Sequence, residues 1–153
     1  MDCKYFSNID EIVAIHKKTV AASGGGSEGI IDLGSIECAL EHIQDDLYYP
    51  EFEHKLTHLL WVANKSHGFT DGNKRIAITA GCMFLLMNGY MAIVKDFLFR
   101  METISYHVAA GNIDKDMLLE IITSILYEED YSEELKLKLV SAFSKNEIDL
   151  DFV

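Results

Sequence analysis

Apolar residues recur along most of the chain with a helical period. Ile36, Ala39, Leu40, Ile43 and Leu47 follow an i, i+3, i+4, i+7, i+11 series, and Phe52, Leu56, Leu59, Leu60 and Ala63 follow a similar one. Each set lines one face of an amphipathic helix. Ile9, Ile12, Val13 and Val20 mark an earlier helix, which the run Ser23, Gly24, Gly25, Gly26, Ser27 ends. Across residues 73–88 the pattern changes. Ile76, Ile78, Ala80, Met83, Phe84, Leu85 and Met87 surround the helix axis, which predicts a central helix buried on nearly every side, stopped by Asn88 and Gly89. Phe97, Met101, Ile104 and Val108 predict a helix ending near Gly111 and Asn112. Asp114 is placed to cap the next one, which carries Leu118, Ile121, Ile122 and Ile125. A last helix, residues 132–145, starts at Ser132, with Glu133 and Glu134 first and Lys136, Lys138 and Lys145 later, the order a helix dipole favours. Extended propensity is confined to Leu47, Tyr48 and Tyr49 and to residues 90–94, enough for a short β-hairpin flap. The predicted class is therefore all-α, a helical bundle around one buried helix.

Composition narrows the partners. A chain of 153 residues fits a single domain, 1–153, burying roughly 70% of its unfolded surface. The 49% hydrophobic content and single proline are those of a folded protein. Its 25 acidic against 13 basic residues, a net charge of -12, disfavour a nucleic-acid partner, which needs clustered Lys and Arg, and serve either solubility or complementarity to a basic protein partner, which net charge does not separate. Cys3, Cys38 and Cys82 are odd in number and lack CxxC spacing, which predicts neither a disulfide framework nor a zinc site and fits the cytoplasm. Met1, Asp2, Cys3 and Lys4 do not open a signal peptide, and the apolar run at residues 76–87 is shorter than the roughly 20 residues that cross a bilayer, so no membrane partner is expected.

The chemistry concentrates in one stretch. Between two predicted helices lies a loop with His67, Phe69, Asp71 and Gly72, followed at once by Asn73, Lys74 and Arg75. The N-terminus of a buried helix presents unpaired N–H groups and the positive end of its dipole, and Gly72 lets a bulky anion come close. Lys74 and Arg75 in the first turn oppose that dipole unless an anion pairs with them. Asp71 is a hard oxygen ligand suited to Mg²⁺ bridging to a nucleotide. His67 can take a proton from an attacking hydroxyl near neutral pH. Phe69 is read as the anchor of the loop. Taken singly, Asp71, Gly72 and Asn73 are a common turn and cap, and His67 a common helix-end histidine. Their order before a buried helix makes the set specific.

At these residues the chain resembles the Fic/Doc family, whose signature is His-x-Phe-x-(Asp/Glu)-(Gly/Ala)-Asn-(Gly/Lys)-Arg, with His67, Phe69, Asp71, Gly72, Asn73, Lys74 and Arg75 at every defined position. The resemblance spans residues 9–125. It implies that His67 is the general base on a protein hydroxyl, that Asp71 holds Mg²⁺, and that Gly72, Asn73, Lys74 and Arg75 cradle the phosphates of ATP or another nucleoside triphosphate. Typical members transfer AMP, and the death-on-curing branch transfers a phosphoryl group. Lys74 in place of a second glycine, and Ile78 in place of a second arginine, are the death-on-curing form, which favours phosphoryl transfer over the alternatives of AMP transfer and a degenerate, non-catalytic binding protein. The self-inhibitory Ser/Thr-x-x-x-Glu-(Gly/Asn) motif of many members is not matched: Glu28 has Gly24 four residues before it, and Glu129 follows the pair Ser124 and Glu128. The resemblance to a toxin therefore implies control by a separate antitoxin protein.

Other residues carry plainer readings. His42, His54 and His58 read as a solvent-facing stripe, because no HExxH pattern accompanies them. His16 reads as a satisfied core histidine, and Trp61 as core packing. Tyr48, Tyr49 and Pro50 lie where Fic-like proteins place the flap that receives the target, though a loop packed by its own aromatics accounts for them equally well. Glu128, Glu129, Asp130, Glu133 and Glu134 read as a solvated acidic face, which a basic partner could also use.

Overall fold

In a computed structural model of the chain, the described residues are 2–22, 33–65 and 73–151, without the side chains at 19, 20, 22, 73, 74 and 146–151. They form seven α-helices: α1 (Ile9–Ala22), α2 (Gly34–His42), α3 (Phe52–Lys65), α4 (Asn73–Met87), α5 (Val94–Ala109), α6 (Lys115–Tyr127) and α7 (Glu133–Asp151). A single turn of 3-10 helix, Met91–Ile93, precedes α5.

Local chemistry sets most of the boundaries. Asp114 accepts from the amide of Met117 at 2.8 Å, capping α6, and the Ser132 hydroxyl accepts from Leu135 at 3.2 Å, capping α7. Helices α4 and α5 each end in a Schellman turn. Gly89 (φ 87°) and Gly111 (φ 85°) take the left-handed position, so that Tyr90 donates to Leu85 and Asn112 to His107. Asn88, just before the first of these glycines, exchanges two hydrogen bonds with the backbone of Lys4, at 2.7 and 3.0 Å, and ties the N-terminal segment to the end of α4.

Helices α3 and α4 form the centre. α3 packs on α2, α4, α5 and α6, and α4 packs on α1, α3 and α5. The core joins Leu56, Leu59 and Leu60 to Ile76, Phe84 and Leu85, and these to Phe97, Met101, Ile121 and Ile122. Phe52 stacks between Phe84 and Tyr90, with ring centroids 5.0 and 4.7 Å away. Gly81 lets the three helices converge: a Cβ there would lie 2.8 Å from Leu60 Cδ2 and 3.0 Å from Phe97 Cζ. No helix among the described residues is long and apolar enough to cross a membrane.

Three expectations are corrected. No strand occurs among the described residues. Leu47 and Tyr48 lie in a turn and Tyr49 in a bend, while residues 91–93 coil into the 3-10 helix, so the β-hairpin flap is not formed there. The periodicity through Leu47 overstates α2, which ends at His42. Beyond it Lys55 takes the Ile43 carbonyl at 2.6 Å and Asp45 accepts from the Leu47 amide at 2.9 Å, replacing the next helical bonds and leaving Leu47 81% exposed. Helix α4 is not enclosed all round: Arg75, Met83 and Leu86 face solvent on one stripe, because its neighbours cover only the opposite sides.

Candidate active site

The two central helices flank the signature segment in the sequence. α3 ends at Lys65 and α4 begins at Asn73. His67, Phe69, Asp71 and Gly72 lie between them and outside the described residues, as do the side chains of Asn73 and Lys74. What is described is the frame. Asn64, buried one residue before the end of α3, donates through its side-chain amide to the Ser105 carbonyl of α5 at 3.1 Å. That bond and the close packing at Gly81 fix the end of α3 against α4 and α5. At the start of α4 the first turn holds no acid, and Arg75 is on its exposed stripe. A positive helix end whose own first turn carries an exposed cation and no acid suits an anion with several oxygens. Ile78, where a typical Fic signature has its second arginine, is buried in the core, so this position adds hydrophobic packing and no phosphate ligand.

A second region flanks this frame. A cavity of about 630 Å³ runs between α2 and α3, lined on one side by Gly34, Ser35, Cys38 and His42 and on the other by His58, Trp61, Val62 and Lys65. Its α3 wall ends at Lys65, two residues before His67 in sequence. The Lys65 ammonium lies 5.1 Å from the centre of the Trp61 ring, giving that end a cation held over an aromatic face. Trp61 itself packs partly buried against the core, as its position on the apolar stripe predicts.

The histidine stripe is corrected here. His58 is buried, 8% exposed, and its ring lies against Tyr49 (centroids 4.6 Å) and His42 (5.8 Å). Lys115 Nζ stands 2.8 Å from its Nδ1. Burial first, then the Lys115 charge and His42, push the His58 imidazole down to about 4, so it is neutral at physiological pH and accepts from the lysine. His54 is half-buried, and its Nδ1 accepts from the Glu51 amide at 3.2 Å at the start of α3. Only His42 of the three is exposed. No cluster of three potential metal ligands occurs among the described residues. His16 is fully buried on α1, as expected of a core histidine, but its Nδ1 meets no hydrogen-bond partner among the described residues, so the expected satisfaction does not extend to that nitrogen.

Sequence reasoning overlooked Lys55. It sits beside the apolar positions of α3 and is buried, with Nζ on the Ile43 carbonyl, 2.7 Å from Asp46, and 5.6 Å from the Tyr5 ring. Burial lowers its proton affinity, but bonds to Asp46 and Tyr5 outweigh this and raise it. The available signal was a lysine three residues after Phe52 and four before Leu59, on the apolar face of the helix, where a solvated residue is not expected. Tyr48 is 73% exposed and Tyr49 half-buried, so these two candidate flap residues occupy one turn but face different surroundings.

Comparison with known proteins agrees with this arrangement. The Fic/DOC family model matches residues 5–85, which takes in α1 to α3, all but the last two residues of α4, and the whole signature. The chain is 33% identical over 84 residues to "Protein kinase doc" of Escherichia phage P1, across 52% of this chain and 65% of that protein. It is 31% identical over 98 residues to "Toxin Doc" of Mycolicibacterium smegmatis, across 61% of this chain and 75% of that protein. It thus spans slightly under two thirds of the phage protein's length. No solved structure matches. With a family model covering more than half of its length and a complete signature at the junction of its two central helices, the chain belongs to the Fic/DOC family.

Proposed function

We propose that the chain is a Doc-like toxin enzyme that transfers a phosphoryl group from ATP, or another nucleoside triphosphate, to a hydroxyl side chain of a target protein. The observation that carries this reading is the complete signature leading into α4, a helix whose first turn bears Arg75 and no acid. The phage relative is named as a protein kinase, which favours phosphoryl over AMP transfer. So does the burial of Ile78, which removes one phosphate ligand of the typical form.

In this reading His67 takes the proton of the target hydroxyl as its oxygen bonds to the γ-phosphorus. The bond from that phosphorus to the β,γ-bridging oxygen breaks, and the nucleoside diphosphate leaves with the electron pair. Gly72, Asn73, Lys74 and Arg75 hold the phosphate oxygens at the positive end of α4. Asp71 would hold Mg²⁺, whose bound charge would neutralise the phosphates. Phe69 anchors the loop, and Tyr48 and Tyr49 meet the target. A separate antitoxin controls the site, and the protein works in the cytoplasm, without a nucleic-acid or membrane partner.

Incubation of the protein and a cell lysate with γ-labelled and α-labelled ATP tests the chemistry. Label entering a target from the γ-phosphate alone is the expected result. Label from the α-phosphate alone replaces it with AMP transfer, and no labelling in either case, with growth inhibition unchanged in His67→Ala, makes the chain a non-catalytic binding protein.

A further inference from the structure

The turn between α2 and α3 is held at its base and bare at its tip. Two basic residues of α3, one helical turn apart, hold it: Lys55 through the Ile43 carbonyl and Asp46, and His58 through Tyr49, whose ring centre lies 4.6 Å from the imidazole and whose hydroxyl is 3.5 Å from Nε2. Leu47 and Tyr48 project from between these anchors. At the foot of the tip a notch of about 350 Å³ is lined by Glu41, His42, Asp45, Tyr48 and Tyr49.

The charges in this notch are unbalanced. Lys55 neutralises Asp46, but no ion pair among the described residues engages Glu41 or Asp45. Asp45 spends one oxygen on the Leu47 amide and keeps the other. An anion would be repelled there, and an apolar group would strip water from two carboxylates without replacing it. A guanidinium answers both demands. It is planar and weakly hydrated, stacks on phenol rings, and offers N–H donors to more than one carboxylate. An ammonium keeps its charge compact and its water bound, and has no flat face for the tyrosines. The chain's net charge of -12 draws a basic segment toward the tip, and Leu47 and Tyr48 provide apolar surface for residues on either side of the arginine.

We propose that this notch receives an arginine side chain of the protein whose hydroxyl is modified, and so helps select the target. The inference rests on the proposed reading that the acceptor is a protein. The turn holds its shape without the target, since both anchors are buried residues of α3, and binding therefore spends little on ordering it.

The test is titration of the ¹⁵N-labelled full chain with N-acetyl-arginine amide, with the neutral isostere N-acetyl-citrulline amide and N-acetyl-lysine amide as parallel arms. Saturable shifts confined to residues 41–49, absent with citrulline and weaker with lysine, are expected. In the double variant Glu41→Gln, Asp45→Asn, in which Asn keeps an acceptor for the Leu47 amide, affinity should fall by about tenfold or more. Equal shifts with citrulline, equal affinity for lysine, or shifts spread equally over the acidic residues 128–134 would each overturn the proposal. The citrulline and lysine arms use the native chain, so the result stands even if the double variant fails to fold. Because the readout is binding, the two failures are distinguishable. Label transfer without arginine binding sinks the docking site alone, whereas arginine binding without label transfer sinks the transferase reading and, with it, the notch's role in selecting the target, leaving only an arginine-binding notch.

Discussion

Lys115 Nζ lies 2.8 Å from Nδ1 of His58, so the first turn of α6 is tied to the middle of α3 by a lysine donating to a neutral imidazole. The bond exists only while His58 is unprotonated, and that makes it sensitive to acid. The ordinary histidine value of 6.5 falls to about 4 in the fold. A depressed value means that the contribution to stability is complete above 6.5 and is lost as pH falls from there through 4. His107, lowered by burial, acts in the same direction. His58 accounts for up to about 3 kcal/mol, at about 1.4 kcal/mol per pH unit of displacement. Thermal melting between pH 7 and pH 4 should show a steeper loss in the native chain than in His58→Gln, and parallel curves would refute the assignment.

Lys55→Met removes the group that ends α2. Asp46 is exposed and finds water, but the Ile43 carbonyl loses its donor in a buried position. Urea denaturation should show a loss of about 1–3 kcal/mol, the usual cost of stranding a buried acceptor. Amide exchange at residues 43–49 should quicken more than elsewhere. Uniform quickening would mean that Lys55 supports the bundle at large and not the turn.

Gly81→Val forces atoms into a space closed by Leu60 and Phe97. Overpacking of this kind costs about 1–3 kcal/mol. Because the same contact sets how closely α3 approaches α4, label transfer should fall further than the loss of folded protein accounts for. Calorimetry alongside the labelling assay separates the two effects.

His67→Ala should lower label transfer by about 10²- to 10⁴-fold, the typical worth of a general base, with nucleotide binding retained. Asp71→Asn should instead raise the Mg²⁺ concentration needed for half-maximal transfer. A His67→Ala protein of undiminished rate would remove the base from the mechanism.

The sequence by itself determined the helices and the chemistry of the signature. Helical periodicity, the Asp114 and Ser132 caps and the glycines at 89 and 111 act within a few residues of themselves, and each operates in the structure as its local chemistry requires. The signature from His67 to Arg75 is likewise contiguous, so its residue types can be read without a fold. Only the tertiary structure decided where α2 stops, that His58 is a buried neutral base and not part of a solvated stripe, and that Leu47 and Tyr48 form a held tip and not a strand. Each of those outcomes depends on a partner from another element: Lys55 reaching Ile43, Lys115 reaching His58, Tyr49 lying on His58. Periodicity reports which face of a helix is apolar. It carries no information about which distant polar group will arrive to satisfy a carbonyl or an imidazole, and here those arrivals shape the turn between α2 and α3.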